Sequence, residues 1–171
     1  LAEKLQARKM QTNAPRRMAA DEDMGPVHSL LTMAFASMEG RIDPPSSLNR
    51  MGVVDLAEAA AASELWVIEA EAGPLACMIL TPQADGIYLG KLAVAQAVRG
   101  QGLARQLIDH SILRAQALGV SAVTLQTRIE LVENHAAFTA MGFDMVGTTA
   151  HPGFDRPTTV NFRRRVQAAT T

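Results

Sequence analysis

The stretch GIYLGKLAVAQAVRGQGLARQLIDHSILRAQALG, residues 86–119, limits what this chain can become. Ile87 to Val94 is a run of β-branched and large apolar residues with little strict alternation. It predicts a strand covered on both faces. Leu103, Ala104, Leu107, Ile108, Ile112, Ala115 and Leu118 recur at i, i+3 and i+4, which predicts a helix with one apolar stripe. Gly119 stands where a left-handed residue would end that helix. Between strand and helix lies Arg99-Gly100-Gln101-Gly102-Leu103-Ala104. The first N–H groups of a helix lack internal partners and sit at the positive end of its dipole. Gly100 and Gly102 let the backbone bend and a ligand come close, because neither carries a Cβ. Arg99 and Arg105 add charge beside the opening. A pyrophosphate is the group such a turn would hold.

Two common phosphate motifs do not fit. The dinucleotide fingerprint needs a third glycine where this chain has Arg105. A Walker A loop needs Gly-Lys followed by Ser or Thr, which is absent from the turn.

The rest of the chain supplies the element order. Residues 1–15 are polar and mixed in charge, and Leu1 is not an initiator Met. They are expected to be a loosely ordered leader outside the fold, with residues 16–171 forming a single domain. Arg16 to Ala19 reads as a short strand. Asp21, Glu22 and Asp23 before Pro26 mark a helix start, with Val27, Leu30, Leu31, Ala34 and Phe35 as its buried stripe. Residues 37–47, SMEGRIDPPSS, form a loop. Ser46 or Ser47 can cap a second helix, which Gly52 divides and the alanines at 59–62 favour. Leu65–Ala70, Leu75–Thr81 and the central strand are joined by short turns, hence antiparallel. After the central helix come a strand over Ala122–Thr127, a helix over Val132–Met141, and a strand over Phe143–Thr148. A loop over 150–157 and a closing strand over Thr158–Val166 complete the chain. The order β-α-α-β-β-β-α-β-α-β-β defines an α/β fold with a mixed sheet.

Composition narrows the function. A net charge of −1 gives no reason to expect nucleic acid or an anionic membrane as partner. Arg163-Arg164-Arg165 alternates with the last strand and reads as a solvated edge. No apolar run approaches the ~18 residues that a membrane helix needs. Cys77 is the only cysteine, so no internal disulfide framework exists. It reads as a buried small hydrophobe, and a cytoplasmic location is expected.

Two motifs resemble those of the GNAT acyltransferase superfamily. Its signature Arg/Gln-x-x-Gly-x-Gly/Ala is filled by Arg99, Gly102 and Ala104, and Leu92-Ala93-Val94 resembles the Leu-x-Val of its fourth strand. Asn134 and Gly142-Phe143 resemble its second motif, an Asn on a helix followed by Tyr-x-x-x-Gly-Phe. The element order over about residues 16–166 is also that of the superfamily. The resemblance implies a mixed, mostly antiparallel central sheet flanked by helices. It implies acetyl-coenzyme A as acyl donor, no metal, and a small-molecule or amino-acid-like amine as acceptor, acetylated by direct attack in a ternary complex. Members are often homodimers. The donor-binding residues implied are Leu92, Ala93, Val94, Arg99, Gly100, Gln101, Gly102, Leu103, Ala104, Arg105, Asn134 and Phe138.

The chain departs from the family at one position. Phe138 stands where a Tyr often protonates the departing thiolate, so water, another residue such as Tyr88, or no turnover at all are the alternatives. In the family a backbone N–H of the central strand polarises the thioester, which places it here near Leu92 or Ala93. The family's acceptor site is commonly bordered by loops equivalent to 37–47, with Glu39, Arg41 and Asp43, and 150–157, with His151 and Asp155. No general base stands out among His110, His135 and His151, and Lys91 either reaches the acceptor side or extends to solvent. A non-catalytic acyl-coenzyme A binding module is the alternative reading, and a nucleotide-dependent enzyme built on the same turn is a third.

Overall fold

The computed structural model describes residues 14–168, and most of the expected leader, residues 1–13, lies outside them. The elements run β1 (Arg16–Arg17), α1 (Gly25–Ala36), a 3₁₀ turn (Ser47–Arg50), α2 (Val53–Ala62), β2 (Glu64–Ala70), β3 (Gly73–Pro82) and β4 (Gly86–Val94). A second 3₁₀ turn (Gln96–Val98), α3 (Leu103–Leu118), β5 (Ala122–Arg128), α4 (Val132–Ala140), β6 (Asp144–Thr149) and β7 (Thr159–Arg165) follow. The seven strands form one sheet in the order β1-β2-β3-β4-β5-β7-β6, antiparallel everywhere except between β4 and β5.

Local chemistry explains the boundaries. Pro26 opens α1 with no N–H to waste, but the acids expected in its first turn precede it instead. Asp23 accepts from the Gly25 N–H, and Glu22 accepts from Ala19 N–H and from Arg16. Ser46 caps the 3₁₀ turn through the Leu48 N–H, and Gly52 divides that turn from α2, where Asp55 accepts from the Gly52 N–H at 2.7 Å. The β2–β3 hairpin tightens further than expected, since β3 already begins at Gly73.

Two hydrophobic clusters cover the two faces of the sheet. Leu107, Ile108 and Ala115 of α3 pack with Met78, Leu80, Val123 and Phe162 on one face. Leu31 of α1 and Leu56 of α2 pack with Leu65, Val67, Cys77 and Ile79 on the other. Cys77 is fully buried, and burial pushes its thiol up to about 12. Leu118, expected in the α3 stripe, is instead exposed, in the last position of the helix. The arginines at 163–165 do not mark an edge: β7 lies between β5 and β6, and Arg164 donates to the Met141 carbonyl at 3.0 Å. The sheet's two edges are β1 and β6, both exposed.

Glu64 is buried at the start of β2 and is held by α3. Arg114 donates to it at 2.8 and 3.0 Å, and the Trp66 indole donates at 2.9 Å. His110 packs against the Trp66 ring at 4.1 Å between centroids, a structural placement rather than a site.

Candidate functional site

The parallel strands β4 and β5 meet over only three pairs, Gly86–Ala122, Ile87–Val123 and Tyr88–Thr124. A Cβ at Gly86 would lie 2.7 Å from the Ala122 carbonyl oxygen, so the close approach at this joint requires glycine. Beyond it the sheet opens as a wedge. β5 stays with β7 as far as Arg128–Thr159, while β4 stays with β3 as far as Val94–Ala76.

β4 carries a bulge at the mouth of the wedge. Cys77 opposes Ala93 and Ile79 opposes Gly90, so Met78 alone faces both Lys91 and Leu92. Lys91 has φ 51°, the one non-glycine in the left-handed region among the described residues. An extra residue in a bulge drops out of the ladder. On its other side β4 has already parted from β5, whose last pair is Tyr88–Thr124.

One groove, about 630 Å³, lies between the wedge and the start of α3. Its lining brings together Leu92, Ala93 and Val94 of β4, Arg99, Gly100, Gly102, Leu103, Ala104 and Arg105 of the turn, and Asn134 and Phe138 of α4. Gln101, the remaining residue expected there, is exposed and does not line it. Gly100 and Gly102 have φ +77° and +83°, and a Cβ at either meets no atom within 4 Å. The turn is thus an open cradle whose conformation disfavours any other residue. Gly102 caps α3 with no side-chain bond, and the first helical bond runs from Gln106 N–H to the Gly102 carbonyl. The three N–H groups between them have no intrahelical acceptor. Arg99 folds back to the carbonyls of Val94 and Ala34 at 3.4 Å each. Arg41 and Glu133 pair at 2.7 Å, and both line the same groove.

A second cavity, about 230 Å³, lies on the other side of the wedge. Tyr88, Lys91, Gln126, Arg128, His151 and Ser47 are among its lining. The two hollows share Phe35, Met38, Leu92, Leu131, Asn134 and Phe138, so they meet at the opening of the sheet. Asn134 donates to Thr127 Oγ1 at 3.2 Å, tying α4 to β5 at that junction. Phe138 packs on Phe162 and Phe143, with centroids 5.9 and 6.1 Å apart. Tyr88 lines the second cavity and not the groove.

Of the expected acceptor residues, His151 lines this cavity. Glu39, Arg41, Asp43 and Asp155 do not. His151 is hydrogen-bonded through Nδ1 and its backbone N–H to Thr158 Oγ1. Burial, and then the charge of Arg128, keep its imidazole below the ordinary histidine range. His135 is occupied with the Arg128 carbonyl at 3.1 Å, and His110 lies in the Trp66 cluster. Lys91 reaches Ser47 Oγ at 3.2 Å, and burial, with Arg128 second, lowers its ammonium below the usual lysine range. Sequence reasoning missed Arg128. The alternation of Thr124 and Gln126, carried one step further, points to it.

A sheet split between two strands, with an anion cradle on one side and a polar cavity on the other, describes a class of two-substrate domain. Comparison with known proteins identifies it. The family model described as acetyltransferase (GNAT) domain matches residues 61–144, which hold the central strand, the turn and the start of the second motif's helix and strand. Over those residues the chain matches the GNAT acetyltransferase family. Solved structures share the fold. A GNAT acetyltransferase from Elizabethkingia anophelis, with acetyl-CoA bound, superposes with TM-score 0.65 at 16% identity over 90% of this chain and 97% of that one. An IAA acetyltransferase from Bacillus cereus gives 0.65 at 16% over 90% and 99%. The ribosomal-protein-S18-alanine N-acetyltransferase of Escherichia coli gives 0.61 at 19% over 91% and 96%. Among the described residues no group of three or more His, Cys, Asp or Glu is placed to hold a metal, and no helix is long and apolar enough to cross a membrane.

Proposed function

We propose that this protein transfers an acetyl group from acetyl-coenzyme A to the amine of a small molecule or amino-acid-like acceptor, both substrates being bound together. The observation that carries the reading is the junction at Leu92. There an anion-cradling groove opens through the split sheet into a separate polar cavity. The donor's pyrophosphate suits the free N–H groups that open α3, with Arg105 beside them, and its pantetheine arm suits the strip of Leu92, Ala93 and Val94.

Each step has a residue of this chain beside it. A backbone N–H near Leu92 donates to the thioester oxygen and stabilises the charge that grows there, a contribution of ~3 kcal/mol for such a donor. The acceptor nitrogen forms its bond to the carbonyl carbon as the carbon–sulfur bond breaks. His151, neutral at pH 7, takes the proton that the nitrogen loses. It is the one lining group of the second cavity whose ordinary range makes it a base at that pH. The thiolate takes its proton from water, because Phe138 has none to give and Tyr88 stands on the acceptor side. A thiol pKa near ~8.5 makes thiolate a workable leaving group without an acid.

The test is a thermal-shift titration with acetyl-coenzyme A, coenzyme A, ATP and NAD, followed by coenzyme A release with a panel of amines. A ligand that binds only the folded state adds ~2.7 kcal/mol at a hundredfold excess over Kd. A shift with the two coenzyme A species alone supports the reading. No shift with either one sinks it, and binding with no transfer to any amine leaves the non-catalytic module in its place.

A further inference from the structure

The acceptor cavity contains two cations and no carboxylate. Lys91 and Arg128 both line it, and the other titratable side chains lining it are Tyr88 and His151. Arg128 spends one nitrogen on the Pro45 carbonyl, with Nη2 at 3.2 Å. Its Nη1 is buried and has no hydrogen-bond partner among the described residues. Glu130 and Asp43 lie near enough to act on Arg128 by charge, but neither hydrogen-bonds to it. Asp43 pairs with Arg156 at 2.8 Å, and Glu130 lies 3.9 Å from the same Arg156 guanidinium. Neither lines the cavity. The partner of Lys91 is the neutral hydroxyl of Ser47.

Removing a cation from water without a hydrogen-bonded acid costs free energy, and two like charges facing one cavity add repulsion. An anion entering between them removes both costs. Placement fits such an anion to the reaction. Leu92 and Arg128 each stand four residues beyond the last β4–β5 pair, Tyr88–Thr124. They lie on opposite arms of the wedge, Leu92 at the bulge of β4 and Arg128 at the end of β5. Arg128 thus lines the same cavity as Leu92, near which the thioester would be polarised.

We infer that the acceptor is an amine that also carries a carboxylate, an amino acid or close relative, held by that carboxylate on Arg128 with Lys91 beside it. This rests on the acyl-transfer reading above and narrows it. A guanidinium offers a carboxylate charge-assisted hydrogen bonds in a fixed plane, and Nη1 is the donor left unspent. With its carboxylate on Arg128, the acceptor can direct its amine back toward Leu92 and His151.

The experiment compares coenzyme A release for the twenty amino acids and for their α-amides, using protein first shown by thermal shift to bind acetyl-coenzyme A. Each amide keeps the amine and loses the carboxylate charge. At least one amino acid is expected to exceed its amide at least tenfold in kcat/KM. Arg128→Gln should bring that ratio close to one by raising KM for the acid, with KM for acetyl-coenzyme A unmoved. Arg128→Lys keeps the charge but not the planar fork, and should retain part of the preference. The thermal shift with acetyl-coenzyme A verifies that both variants are folded. Equal transfer to amides, transfer to no amino acid by protein that binds acetyl-coenzyme A, or a preference that survives Arg128→Gln overturns the inference. Failure to bind acetyl-coenzyme A overturns instead the acyl-transfer reading beneath it.

Discussion

Tyr88 and Thr124 are the last residues joined between the two parallel strands, and everything the site does depends on the sheet parting immediately after them. The ring of Tyr88 lies over Gly90, where a Cβ would come within 3.1 Å of it. The joint is thus covered on the cavity side by the chain's single tyrosine, and the groove and the cavity meet further out, beside Leu92.

The cradle is tested at Gly102. Its φ of +83° makes a β-branched residue strained by about 1–3 kcal/mol, and the open space beside it would be filled. Gly102→Val should lower stability by that amount and weaken acetyl-coenzyme A binding at least tenfold. Calorimetric titration measures the second effect independently of the first. Wild-type affinity in the variant would place the donor elsewhere.

His151 gives the reaction a pH signature. Its imidazole is held below the ordinary range by burial and by Arg128, so it is neutral and able to accept a proton at pH 7. Its proton acceptance fails as pH falls, and kcat should drop on an acid limb lying below ~6.5. His151→Gln should lower kcat by about 100-fold, remove that limb and leave KM for acetyl-coenzyme A unchanged. A variant that keeps the limb assigns the proton to another group.

Lys91 trades stability for position. A left-handed φ costs an L-residue ~1–2 kcal/mol that glycine does not incur, against ~0.5–1 kcal/mol for the extra freedom of glycine when unfolded. Lys91→Gly should therefore raise stability by up to about 1 kcal/mol, a Tm gain of roughly 2–4 °C. A Tm that falls instead would mean that the bond to Ser47 outweighs the strain.

Glu64 links β2 to α3 and should set part of the acid sensitivity. Hydrogen bonds from Arg114, then Trp66, lower its pKa against the opposing effect of burial. Because the folded value is below the unfolded ~4.3, the stabilisation is complete above that pH and is lost as pH falls through the folded value. Glu64→Gln should cost about 2 kcal/mol at pH 7, with the gap to wild type closing below pH ~4. Denaturant melts at both pH values measure it, and a gap independent of pH would show that packing, not charge, holds the joint.

The groove side of the candidate site was legible because it is local. Arg99 to Arg105 is one continuous turn, and its glycines, free N–H groups and following helix are all visible within a few residues. The acceptor side was less so because it is assembled from distant segments. Lys91, Arg128 and His151 converge only once β4 and β5 have parted, and no spacing in the chain encodes that approach. The loop after α1 shows the same limit. Glu39, Arg41 and Asp43 look equivalent in sequence, yet Arg41 goes to Glu133 over the groove and Asp43 to Arg156 outside the cavity. The edge was misplaced for a related reason. A run of three arginines reads as a solvated edge, but the return of β7 between β5 and β6 is a matter of strand order, which periodicity does not contain.

The burial of Cys77 gives the molecule its own reporter. With its thiol sealed in the α1–α2 face of the sheet and raised to about 12, it resists alkylation while the fold is closed. Labelling by a thiol reagent then counts openings of that core. A donor that stabilises the fold should slow the labelling in proportion to its occupancy, so one mass measurement reads binding without any acceptor being known.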